Sequence, residues 1–355
     1  MKVKAIAIAV LAAALLVAPS AQGTYDPIKT GQTKLTLDKA FLSLLKRGGV
    51  KLTAKAPAKR VGKTILIPVS GGKSDPTLGK GEVLHEGQVV FAKGNRKLPL
   101  REIELKANPH PLYAKVGGGQ LKLVSAKEVT AKREGFGQGF KATGLELTQK
   151  VATRLNKKLR TKDLFQEGQA IGALKSQTQP QRVTVLPQGQ ATLVPDPAIL
   201  AKFKSLFVSL NPISPAELSP GPLFRLPIAA GGEIAPDGSE GTLRTAGAIE
   251  LLQLGAGQVF QQEYWLDLAA KSASAEVEIL PTPAFPGKLG RLGVFGVGAG
   301  SVSADPKSRT VSVANAPLSL DAQTAQHFNQ AFAEGKAVFA AGEAFGAVGF
   351  GAVGQ

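Results

Sequence analysis

Few side chains in this sequence are suited to proton transfer or metal binding. The histidines are His85, His110 and His327, and there is no cysteine, so thiolate metal sites and thiol catalysis are excluded. No His-x-x-x-His pair or comparable metal motif is present. His110 lies between two prolines, which predicts a surface turn, and His327 is predicted to lie on a solvated helix face. We therefore expect a binding protein and not an enzyme.

Three glycine clusters resemble nucleotide-binding loops only superficially. Gly71-Gly72-Lys73-Ser74 lacks the upstream glycine of a phosphate-binding loop, because Ile67 stands there. The clusters at 135–139 and 296–300 lack the strand-to-helix context that dinucleotide binding requires. We expect all three to be strand bends or turns. A Gly-x-Ser-x-Gly elbow for a nucleophilic serine is also absent.

The first residues have the pattern of a secretory signal peptide. Lys2 and Lys4 precede an apolar run from Ala5 to Val17, and small residues follow up to Gly23. The run is too short to span a bilayer as a helix, so we expect cleavage of residues 1–23 and no transmembrane anchor. The sequence thus predicts a secreted or cell-envelope protein.

Positive charge is concentrated in the first half of the chain. Residues 24–180 contain 30 Lys and Arg against 12 Asp and Glu, or +18, whereas residues 181–355 contain 11 against 14, or −3. Such a surface attracts polyanions, including anionic wall polymers. The alternative is a lysine-coated surface that only confers solubility. Nucleic acid is not expected, because export removes that partner and aromatic residues do not alternate with the basic ones.

The sequence contains an internal repeat. The segment 31–38 recurs at 189–196, and Ile67-Pro68-Val69 recurs as Leu226-Pro227-Ile228 with matching glycines after it. From these pairs we predict a basic domain at 31–175, a linker rich in Gln and Pro at 176–188, and a near-neutral, diverged domain at 189–355.

Periodicity within each repeat predicts a mainly β fold. A helix is expected to begin after Asp38 and a second one after Thr148, both residues that favour the N-cap position. The stretches between them alternate apolar and polar residues and are separated by Gly, Pro and Asn turns. We predict two tandem antiparallel β-sandwich or open-barrel domains, each with one early and one late short helix. The glycine-rich end, 337–355, is expected to form a closely packed strand.

The repeat also resembles a known family. Leu37-Asp38 at the start of a helix, the segment Gly81–Gly87, Asn108-Pro109 and the segment Leu112–Val116 together resemble the HtaA-like domain of actinobacterial envelope haem-uptake proteins. The second repeat looks like a more diverged copy of the same domain.

The resemblance implies haem binding through a tyrosine near the end of the first helix, with a histidine close by. His85 matches the histidine position, and Thr245 stands there in the second repeat. The tyrosine position falls at Gly48 and Leu206, neither of which ligates iron, and Tyr113 matches a strand tyrosine that the family uses structurally. His85 and Tyr113 are therefore the candidate haem-binding residues.

Two functions follow as expectations. The first is haem capture or transfer, reduced or lost here, with haem or other envelope haem-uptake proteins as partners. The second is a structural or adhesive role, in which the basic first domain binds anionic wall polymers.

Overall fold

The computed structural model describes residues 25–106, 112–116, 119–280 and 287–355. The predicted signal peptide at 1–23 and His110 lie outside the described residues. Within the described ranges two units follow one another, each with twelve strands and two helices.

The first unit contains strands β1 to β12 and helices α1 and α2. Its strands are β1 Asp26–Leu37, β2 Lys51–Lys55, β3 Lys59–Val61, β4 Thr64–Asp75, β5 Lys80–His85, β6 Gln88–Lys93, β7 Arg96–Lys106, β8 Leu112–Val116, β9 Gly119–Ser125, β10 Glu128–Glu134, β11 Gly137–Leu147 and β12 Ala170–Pro180. Its helices are α1 Lys39–Arg47 and α2 Gln149–Leu159.

The second unit contains strands β13 to β24 and helices α3 and α4. Its strands are β13 Val183–Pro195, β14 Val208–Ile213, β15 Glu217–Ser219, β16 Leu223–Ile234, β17 Gly241–Thr245, β18 Ala248–Gln253, β19 Gly257–Asp267, β20 Ser272–Leu280, β21 Gly287–Val297, β22 Ser301–Asp305, β23 Thr310–Leu320 and β24 Ala344–Gly354. Its helices are α3 Pro197–Ser205 and α4 Ala322–Phe332.

The two units share one strand order. In the first it runs β2-β6-β7-β5-β4-β1-β12-β11-β9-β8, and in the second each strand is replaced by the one twelve places later in the chain. All pairings are antiparallel, as the repeat and the alternating pattern predict. The mainly β fold with two tandem copies is therefore confirmed.

Eight strands of each unit close into a ring. In the first unit β7 pairs with β5 along one part of its length and with β8 along another, and the equivalent pairing of β19 with β20 closes the second. Strand β20 shows how sequence encodes this arrangement, because the buried residues Ala273, Ala275, Val277 and Ile279 alternate with half-exposed ones. The ring is thus filled by its own side chains.

Helices α1 and α2 begin after Asp38 and Thr148, as the sequence predicts. Asp196 and Asp321 cap α3 and α4 by accepting the amide hydrogens of Ala198 and Gln323 at 2.8 and 2.9 Å. Thr148 precedes α2, but its hydroxyl donates to the carbonyl oxygen of Lys122 at 2.7 Å. This bond fixes the start of α2 on β9 of the ring instead of capping the helix.

The segment 176–188 differs from the predicted linker. Most of it lies in β12 and β13, which pass from one unit to the next with only residues 181 and 182 between them. The glycine-rich end forms β24 between β13 and β23, so the expected closely packed strand is observed. The cluster at 135–139 lies at the turn between β10 and β11, also as expected.

Candidate functional site

His85 lies inside the first unit and not at its surface. Its side chain is buried; Nδ1 lies 2.9 Å from the carbonyl oxygen of Ile103, and Nε2 lies 2.6 Å from Oγ1 of Thr33. Because a carbonyl only accepts, Nδ1 of the neutral ring carries the proton and Nε2 accepts from the Thr33 hydroxyl. Burial lowers the pKa of His85 to about 4. Both nitrogens of this neutral ring are therefore already engaged.

The second unit replaces this polar cluster with other residues. Thr33 also lies 2.7 Å from Oγ of Ser176, which is its partner across the β1–β12 ladder. The equivalent positions on β13 and β24 are Ala191 and Phe350, and Thr245 occupies the position of His85. The hydrogen-bonded cluster thus belongs to the first unit.

The positions of the expected haem tyrosine do not provide an iron ligand. Gly48 ends α1 with φ −77°, and a Cβ there would collide with the side chain of Leu164. Leu206 ends α3 and packs against the core of the second unit. In both units this region is filled by leucine side chains.

The described tyrosines lie elsewhere. Tyr113 is half-buried on β8, and the ammonium of Lys106 lies 5.3 Å from its ring centre. Tyr264 is buried in the second unit, where its hydroxyl donates to Oε1 of Gln261 at 3.2 Å, and burial raises its pKa. Tyr25 lies at the start of the described chain and is 47% exposed. The structure therefore does not bring His85 and a tyrosine together around one ligand.

Two small cavities lie among the core side chains of the rings, and a more open pocket of about 180 Å³ borders the second core at Leu266, Val348 and Phe350. The cavity in the first unit measures about 10 Å³ and the one in the second about 20 Å³. Ligand sites for drug-sized molecules usually measure hundreds of Å³. The residues and the space thus do not fit a haem in either interior, and metal-binding groups of three or more His, Asp or Glu are absent from the described ranges.

A large open groove lies instead on the outer surface of the first unit, between α2 and the β6–β7 turn. Its volume is about 1290 Å³. Leu98, Pro99 and Leu121 supply its apolar lining. Seven exposed cations line it: Arg96, Lys97, Lys150, Arg154, Lys157, Lys158 and Arg160. We call this feature the basic groove.

The charge of the basic groove is not neutralised by the protein. Acidic residues are absent from its lining, and within the described chain none of the seven cations forms an ion pair. Lys150, Arg154 and Lys157 recur at helical spacing along α2, which places them on one face. This arrangement leaves a row of cations available to an anion.

The second unit lacks the basic groove. Five of the lining cations lie on α2 or at its C-cap. When α2 and α4 are aligned at their N-cap residues, Thr148 and Asp321, all five positions carry uncharged side chains in the second unit. These replacements are Gln323, His327, Gln330, Ala331 and Ala333. Burial lowers the pKa of His327, which favours the neutral form of its ring.

The space is also closed in the second unit. Gly257 stands at the position of Arg96, and a Cβ on it would collide with the carbonyl oxygen of Ala331 on α4. At this position α4 therefore approaches the strand too closely for any side chain, whereas the first unit has room for Arg96. The two units provide an internal comparison of one fold with and without the groove.

The sequence predicted a basic first half but did not locate the groove. The spacing of cations along α2 was a readable signal, whereas their position opposite Arg96 and Lys97 depends on a tertiary contact. His327 is half-buried on α4 and not fully solvated as expected.

No family model and no curated protein matches this chain. Among solved structures, it is similar to the N-terminal domain of HtaA from Corynebacterium glutamicum, with 14% identity and a TM-score of 0.36, over 48% of this chain and 98% of that one. It is also similar to the C-terminal domain of the same protein, with 12% identity and a TM-score of 0.34, over 44% of this chain and 98% of that one. These solved domains belong to the family that the sequence resembles. Within the described ranges, no helix has the length and apolarity needed to span a membrane.

Proposed function

We propose that this chain is a non-catalytic binding protein of the cell envelope or its surroundings, and that the basic groove binds a linear polymer with repeated phosphate groups. The observation that carries the proposal is the groove itself, which has seven unpaired cations and no acidic residue in its lining. The location outside the cytoplasm is supported by the pattern of residues 2–23.

The shape of the groove favours an extended ligand. Helix α2 has 11 residues, which corresponds to a length of about 16 Å. A single small anion cannot reach Lys150 and Arg160 at the two ends of this helix together with Arg96 across the groove. A flexible chain with regularly spaced negative charges can contact them all and would release their counterions on binding.

The lining of the groove also favours this polymer over single-stranded nucleic acid. No aromatic ring lines the groove, so bases would have no stacking surface there. Recognition would therefore depend on the phosphates and be sensitive to salt.

Haem was the other candidate, and the chain gives no iron ligand at the matched positions. Gly48 and Leu206 have no donor atoms, and His85 is buried with both nitrogens engaged. We therefore propose that any haem binding by this chain does not involve coordination by these residues.

The test is a titration of the chain lacking residues 1–23 with inorganic polyphosphate at increasing salt. A Lys150→Gln/Arg154→Gln variant should lose about tenfold or more in affinity, because two charge-assisted contacts disappear. The control is Lys55→Gln/Lys59→Gln, which removes the same charge from exposed positions outside the groove. Equal losses in both variants, or salt-insensitive binding, would contradict a site in the groove. A preference for an oligonucleotide of equal charge would contradict the proposed ligand.

A further inference from the structure

The two units meet in a seam that contains both apolar and ionisable groups. Phe136, at the turn between β10 and β11 of the first unit, is buried in the hydrophobic core of the second. A Cβ on the neighbouring Gly135 would approach Cβ of Pro306 to 3.1 Å. The first unit thus inserts a side chain into its neighbour.

Two carboxyl groups are buried beside this contact. Asp26 at the start of β1 is 4% exposed, and Asp75 at the end of β4 is 1% exposed. Oδ1 of Asp75 accepts the amide hydrogens of Thr77 and Leu78, both at 2.9 Å, whereas its buried Oδ2 has no hydrogen-bond partner. The backbone amide of Thr184, on β13, faces Asp26 from the other unit.

One arginine of the first unit links this cluster to the second. Arg133 on β10 donates from one terminal nitrogen to the backbone oxygen of Gln355, and from the other to Oγ1 of Thr77 at 3.0 Å. Its guanidinium attracts Asp26 and Asp75 and is repelled by Arg309 of the second unit. Arg133 therefore joins residues from both units.

Carboxyl groups repel one another at the seam. Asp75 and Glu233 both act on Asp26, and Arg133 attracts Asp26 and Asp75. One proton on a carboxyl group would reduce the repulsion between Asp26 and its two acidic neighbours without any movement of the chain.

Asp26 is the group best placed to hold that proton. Burial raises its pKa to about 7, although Arg133 acts in the opposite direction, and Asp75 and Glu233 raise it further. When the two units are docked, Asp26 thus keeps its proton between about pH 4 and pH 7, where a solvated carboxyl group would release it. Docking is therefore favoured in acid and weakens as the pH rises through 7.

We propose that the seam is a proton-dependent latch, which holds the two units together when Asp26 is neutral and loosens when Asp26 ionises. The ion pairs at its rim, Lys29 with Asp237 at 3.8 Å and Arg182 with Glu240 at 2.9 Å, are solvent-accessible. Such pairs contribute little to stability. The rim ion pairs orient the two units, whereas the protonation of Asp26 controls how stably the units dock.

The test is to measure the radius of gyration by X-ray scattering, and hydrogen exchange at residues 133–136, at about pH 5.5 and about pH 8.5. The unaltered chain should expand at the higher pH, and exchange at the seam should increase about tenfold after correction for the intrinsic pH effect. Asp26→Asn should remain compact and protected at both values.

Asp237→Asn is the matched control, because it removes a carboxylate from the exposed rim and should keep the full pH response. Circular dichroism establishes that each variant is folded. An unaltered chain with the same size and protection at both pH values would overturn the proposal. So would an Asp26→Asn variant that still responds to pH.

Discussion

The hydroxyl oxygen of Thr33 lies 2.6 Å from Nε2 of His85, across the β1–β4–β5 part of the first ring. This contact makes the candidate ligand His85 a structural residue. It also explains why a histidine is tolerated in a closed interior, since both ring nitrogens have partners.

Thr33→Val should lower the free energy of unfolding by about 1–3 kcal/mol, because it leaves a buried ring nitrogen without its partner. The control Thr36→Val, on the same strand but half-exposed, should change stability by less than about 0.5 kcal/mol. Chemical denaturation measures both. A Thr33→Val variant as stable as the control would show that the contact has no energetic role.

The buried imidazole should make stability depend on pH. Burial lowers the pKa of His85 to about 4, so its contribution is fully present above the ordinary value of 6.5 and is lost as the pH falls towards 4. The loss amounts to about 3 kcal/mol over this range. His85→Gln removes the titrating group, so the difference in unfolding free energy between the two proteins should shrink in acid. A difference that stays constant from pH 7 to 4 would argue against a buried neutral ring.

A side chain at Gly48 would have to displace the end of the Leu164 side chain, whereas the backbone of Gly48 would not be strained. Its φ of −77° suits any residue, whereas an added Cβ collides with the leucine side chain. Gly48→Ala should cost about 1 kcal/mol, because the leucine side chain must take another rotamer. In a double-mutant cycle with Leu164→Ala, a coupling of about 1 kcal/mol should appear. Strict additivity of the two substitutions would mean that the leucine moves aside freely.

Haemin titration should show no saturable Soret shift that depends on His85, since the imidazole is buried and both of its nitrogens have partners. The spectra of the unaltered chain and of His85→Gln should therefore be the same. A saturable shift present only in the unaltered chain would place an iron ligand at His85.

Much of the fold could be predicted from local pattern. The repeated glycines and alternating apolar residues indicated two copies of one β-rich unit, and the strand orders are indeed equivalent. The N-cap residues Asp38 and Thr148 marked the starts of α1 and α2. These features depend on neighbours in sequence, so a single chain reveals them.

The supposed linker shows where composition was misleading. Residues 176–188 are rich in Gln and Pro, yet Ser176, Thr178 and Pro180 of β12 all face inward. The strand pattern was present, but its inward positions are polar or small and did not appear as an apolar stripe. Their burial depends on the tertiary packing of the sheet, which the local sequence does not reveal.

The basic groove could not be predicted from the sequence either, because it depends on tertiary structure. The charges of α2 are visible in sequence, and they are also compatible with an ordinary solvated helix face. Only the fold shows that Arg96 and Lys97 lie across an opening from them, and that α4 closes the same opening in the second unit.

The most direct test of the anion-binding account is hydrogen exchange of the chain with and without inorganic polyphosphate. Exchange should slow in α2, Gln149–Leu159, and at residues 95–99, while α4, Ala322–Phe332, should be unchanged because it lacks the cations. Protection that falls elsewhere, or equally on both helices, would contradict a polyanion site in the basic groove.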